Sequence, residues 1–102
     1  MSNGEIISKE IGREMIQNFV VTHPTAIKAH AFDKNLIMEL LDSPGAEGMR
    51  IYYAYENGAP CVVLVAIDAH GDDLEDNPVI ERGKPCPPYC TRNVYFLDGP
   101  IT

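Results

Sequence analysis

Gly48–Asp68, GMRIYYAYENGAPCVVLVAID, is the stretch whose reading decides the fold. Two runs rich in Ile, Val and Tyr flank Asn57-Gly58, a dipeptide that tolerates the positive φ angles of a tight turn. The stretch therefore reads as a β-hairpin. Ala59-Pro60 follows the turn, which lengthens the expected loop beyond two residues and sets Pro60 at the opening of the second strand, where a missing N–H does least harm. Both faces of the hairpin are largely apolar. Ile51, Tyr53 and Tyr55 alternate with Tyr52 and Ala54, and Cys61 to Ile67 has no polar break. A strand that is apolar on both sides is normally covered on both sides.

Outward from the hairpin, two helices supply part of that cover. On the N-terminal side, Ile7, Ile11, Met15, Ile16, Phe19 and Val20 recur at three- and four-residue steps, with Lys9, Glu10, Arg13, Glu14 and Gln17 between them. Ser8 is the expected N-cap, and His23-Pro24 ends the helix because a residue before proline is pushed out of the helical region. A second helix, Lys34 to Leu41, carries Leu36, Ile37, Leu40 and Leu41 as its apolar stripe, is capped by Asp33 and is stopped by Ser43-Pro44-Gly45. Between the helices, Ile27 to Phe32 is expected to form a short strand. The sequence thus predicts an α+β fold, with a small antiparallel sheet built on the hairpin at about 48–68, two amphipathic helices packed on one face, and an irregular C-terminal segment. The uncovered face calls for that segment, a second copy or a protein partner, and a homodimer is the expected form.

The bulk numbers exclude several classes. A chain of 102 residues is expected to be one domain, with its core at about 7–90. An apolar fraction of 45% with 23% charged residues is that of an ordinary globular protein. With a net charge of −7 and only eight Lys and Arg, the chain is poorly suited to neutralising phosphates, so nucleic acid is excluded as the expected partner. Charged residues from Glu5 to Glu14 interrupt any secretory leader, and the run Cys61 to Ile67 is too short to span a bilayer. The expectation is a cytoplasmic protein with no membrane segment and reduced thiols.

Three cysteines, an odd number, argue against a disulfide framework. The sharpest motif is Cys86-Pro87-Pro88-Tyr89-Cys90, whose thiol spacing fits one half of a zinc or iron site. The other ligands would come from Cys61 or His70. Nine strand residues at about 3.3 Å each separate those two by roughly 30 Å, so they cannot both join one metal unless the chain turns back. The competing readings are a small apolar Cys61 beside an inert proline turn, or a thiol-active pair at Cys86 and Cys90. The pair lacks the helix N-terminus or close cation that lowers a thiol pKa, with Lys84 and Arg92 the only cations near it in sequence.

From Asp68 the chain is acidic, with Asp68, Asp72, Asp73, Glu75, Asp76 and Glu81 before Arg82. Asp68, His70 and Asp72 would share one side if the strand ran on, forming an acid–base or hard-metal cluster; Asp and Gly in this density read instead as a strand-ending turn. Arg50 with Tyr52, Tyr53 and Tyr55 reads as an edge packing of tyrosines, and His23 and His30 as structural. The tail, residues 91–102 with its apolar run Val94 to Leu97, is expected to add an edge strand or a dimer contact. No Gly-rich phosphate loop, Gly-x-Ser-x-Gly elbow or His-Glu-x-x-His is present, so no catalytic residue is assigned and a non-enzymatic role is favoured.

Taken together, GMRIYYAYENGAPCVVLVAIDAHGDDL and GKPCPPYC, over roughly Ile7 to Cys90, resemble an uncharacterised family of small bacterial proteins. The resemblance implies a stand-alone bacterial domain with no assigned activity, and it carries over no catalytic residue.

Overall fold

The computed structural model describes residues 3–97, with two α-helices and five β-strands in the order α1 Lys9–Thr22, β1 Ala29–Ala31, α2 Lys34–Leu41, β2 Gly48–Glu56, β3 Ala59–Ile67, β4 Val79–Ile80 and β5 Lys84–Cys86. This is the α+β fold expected. The contacts among the described residues group into two compact units, one from His30 to Lys84 and one from residues 3–29 together with 85–97. β1 and β5 pair with each other, and the unit boundaries fall within these two strands.

The first unit is built on the hairpin. β2 and β3 pair antiparallel along their whole length, from Gly48 opposite Ile67 to Glu56 opposite Ala59. The turn is shorter than the sequence suggested, because Asn57 and Gly58 alone make it, both at positive φ (51° and 82°), the pairing-compatible geometry of a two-residue hairpin. Pro60 sits inside β3, opposite Tyr55. β4 adds antiparallel to β3, with Leu64 opposite Ile80 and Val65 opposite Val79, so the sheet order is β2-β3-β4.

The core of this unit is small: Leu40, Leu64, Ala66 and Ile80 are buried, with Phe32, Ala46, Met49, Val62 and Leu74 packed around them. Leu40 projects from α2, so α2 is the helix that packs on the sheet within this unit. Asp33 opens α2 through its carbonyl, which accepts from the N–H of Leu36 and of Ile37, and not through its side chain. Ser43 closes the helix, its hydroxyl donating to the Leu40 carbonyl at 2.6 Å.

The second unit holds α1, the other helix expected on the sheet. Ser8 caps it as predicted, its Oγ accepting from Ile11 N at 3.1 Å. No residue of α1 is buried, and its partners in this unit include Phe96, whose carbonyl accepts from Gln17 Nε2 at 2.9 Å. Tyr95 lies beneath the Arg13 guanidinium, 4.5 Å from ring centroid to Cζ. The segment expected to add an edge strand is instead a turn through residues 95–97, closed by Leu97 N donating to the Val94 carbonyl at 2.8 Å. The rest of the tail expected to reach residue 102 lies outside the described residues.

Candidate functional site

Side chains alternate across the hairpin, and the register assigns each to a face. Met49, Ile51, Tyr53 and Tyr55 share a face with Pro60, Val62, Leu64 and Ala66. At one end of this face the core forms. The other end is bare, with Ile51 52% exposed, Tyr53 92% and Tyr55 78%. Length explains the difference: nine strand residues at about 3.3 Å each run about 30 Å, while the eight residues of α2 rise only about 12 Å. A helix that short cannot roof the hairpin to its tip.

The opposite face carries Arg50, Tyr52 and Ala54 beside Cys61, Val63 and Val65. Here Arg50 Nη1 meets Asp73 Oδ1 at 2.6 Å, and the Tyr52 hydroxyl donates a short hydrogen bond to the other oxygen of the same carboxylate. Tyr52 foremost, and Arg50 after it, hold the Asp73 carboxyl below the usual range, and the hydrogen bond that each makes to Asp73 raises Tyr52 and Arg50 above theirs. Asp73 reaches the strand because the chain turns back at Asp68, whose Oδ1 accepts from His70 N at 2.9 Å and Asp72 N at 3.0 Å. Those backbone donors, Asp72 first, hold Asp68 low as well. The strand-ending turn is therefore the reading that holds for Asp68-x-His70-x-Asp72. His70 is exposed there, its backbone N–H donating to Asp68 and its ring charge helping to hold that carboxyl low.

Of the residues proposed as metal ligands, Cys86 and Cys90 are joined in a disulfide. The odd cysteine count had argued against this. The separation of four positions permits it because the chain doubles back, Tyr89 N donating to the Pro85 carbonyl at 3.0 Å. Bonded sulfurs are not thiolate ligands. Among the described residues, no group of three or more His, Cys, Asp or Glu is arranged to hold a metal ion. Cys61 is free and half-buried on β3; burial, then Glu81 and Glu56, push its thiol up, away from the thiolate that ligates or attacks. His23 stacks on Phe19 and its Nδ1 lies 2.9 Å from the Thr22 hydroxyl, a helix-end role.

No protein-family model, curated protein or solved structure matches the chain. The Arg50–Tyr52–Asp73 cluster escaped the sequence reading, although Arg50 and Tyr52 at i and i+2 already shared a face. Asp73 was one of six similar acids, and only the turn at Asp68 singles it out. Among the described residues, no helix is long and apolar enough to cross a membrane.

Proposed function

We propose that this chain is a small non-enzymatic protein of the cytoplasm that acts by association, through the bare half of its hairpin, with a second copy of itself or with a protein partner. The observation that carries this reading is the row Ile51, Tyr53 and Tyr55, large side chains standing exposed on the face that elsewhere forms the core. Tyrosines of this kind are the residues that interfaces favour, with an apolar ring to bury and a hydroxyl to keep wet. Sedimentation over about 1 µM to 1 mM, the range in which small interfaces dissociate, tests it. A dimer that forms with concentration and is lost in Tyr53→Ser/Tyr55→Ser supports the reading. A monomer throughout, matched by the double variant, removes self-association.

A second reading rests on the Cys86–Cys90 bond, since Cys90 is exposed while Cys86 is buried, so an external thiol would reach Cys90 first. In a reducing compartment such a bond persists only as a reversible pair. The thiol-active role, with zinc bound in the reduced state as its metal variant, is tested by equilibrating the chain with glutathione and by metal analysis of the reduced protein. A bond that resists millimolar dithiol, with no metal taken up after forced reduction, rules out both.

A further inference from the structure

We infer that β2 is the dimer seam, pairing edge to edge with β2 of a second copy in an antiparallel register that sets Tyr53 opposite its own symmetry mate. This rests on the association reading above and names its partner. The sheet order β2-β3-β4 leaves β2 as an edge, with no strand on its outer side among the described residues. The hydrogen bonds on the far side of β3 fix which backbone groups face out. Leu74 N donates to Ala66 O and Asp68 N to Asp72 O, so Ala66 and its alternate neighbours on β3 turn their backbone groups away from β2. Antiparallel pairs alternate, so their partners Met49, Ile51, Tyr53 and Tyr55 turn their N–H and C=O groups to the outer edge. Pro60 belongs to the same away-facing set on β3, which is why a proline is tolerated inside that strand.

Edges of this length are usually blunted by lysine, proline or a bulge. Here the outward-facing positions are Met, Ile, Tyr and Tyr, with no such device. The strand is also complementary to itself. With Tyr53 on the two-fold axis, Ile51 lies opposite the mate's Tyr55 on the bare face, and on the other face Arg50, already paired with Asp73, lies opposite the mate's Glu56, which has Arg82 at 3.2 Å, so that charges of alternating sign line up across the seam. Centring on Tyr52 instead would place Arg50 opposite Ala54 and lose that charge match. The area suits a weak dimer: full burial of two tyrosines from each copy at roughly 150–250 Å² apiece would give at most about 600–1,000 Å², and edge pairing covers only the flank of each ring that meets the mate. Ile51 and the newly paired backbone add to this, which places the seam among the small interfaces, near roughly 1,000 Å². Two three-stranded sheets would become one of six, ended on both sides by the two-residue β4.

Cysteine trapping in the full chain, on a Cys61→Ser background, tests the seam. Directly opposed residues of a hydrogen-bonded pair lie about 5.5 Å apart at Cα, within reach of a disulfide. Tyr53→Cys is expected to give a covalent dimer under mild oxidation at least ten-fold faster than Ile51→Cys or Tyr52→Cys. Ile51→Pro is the second variant, since it removes an N–H that faces outward and spares the pairing with β3. It should raise the dimer dissociation constant at least ten-fold with circular dichroism unchanged. Fastest trapping at position 52 overturns the register. A dimer by light scattering that neither traps at these positions nor responds to Ile51→Pro overturns the edge seam while leaving association standing. A monomer at every concentration overturns both.

Discussion

A methyl group at position 83 has no room. A Cβ built on Gly83 would lie 2.5 Å from Cζ of the Phe32 ring, which packs against the core, so the glycine is there for space. Gly83→Ala is expected to cost about 1–3 kcal/mol, the usual penalty of overpacking, seen as a lower urea midpoint, and Phe32→Leu in the same chain should recover part of it. Asp73 makes a different prediction. Its folded carboxyl sits below the ordinary value of 3.8, so the unfolded chain binds that proton more readily. The stability it adds is therefore present above about pH 3.8 and is lost as pH falls through the lower folded value. Thermal melts from pH 6 to pH 2 should show this loss, and Asp73→Asn should be less stable at pH 6 and flatter across the range. A variant as steep as the wild type would place the acid sensitivity elsewhere, with Asp68 the next carboxylate held low.

At the scale of elements, what the sequence states locally is what it states legibly. Asn57-Gly58, Ser8, Asp33 and Ser43-Pro44-Gly45 act on their immediate neighbours, and the turn, the helix starts and the helix stop lie where those residues put them. Ser8→Ala is accordingly expected to remove about 1 kcal/mol from α1, measured as lost helical dichroism or a lower melting temperature. Pro60 misled because its effect depends on which way its backbone faces, and that follows from the register, not from the dipeptide. Val94 to Leu97 misled because apolar residues in a short run do not separate strand from turn. The Cys86–Cys90 bond was disfavoured by counting cysteines, a rule about frameworks that says little of one local loop. It makes a sharp prediction: one thiol, that of Cys61, should label in the unreduced denatured chain, and three after reduction. For a loop this short the chain-entropy estimate is about 2 kcal/mol, so reduction should lower the melting temperature measurably. Three reactive thiols without reductant would refute the bond.

For the molecule as a whole, burial is scarce. Among the described residues the buried apolar side chains are Leu40, Leu64, Ala66, Ile67, Ile80 and Cys86, and α1 contributes none. A pattern of apolar positions says that a face wants a partner and not which partner it finds. Here the unmet demand falls on the tip of the hairpin, where Tyr53 and Tyr55 stand out and the β2 edge ends the sheet. The measurement that tests this most directly is the mass by light scattering of the 11.3 kDa chain across a concentration series, beside Ile51→Pro. An edge-paired dimer gives a wild-type mass that rises toward twice the chain mass and stops there, with Ile51→Pro held near the single value. A wild-type mass that stays at one chain to the highest concentration would contradict it.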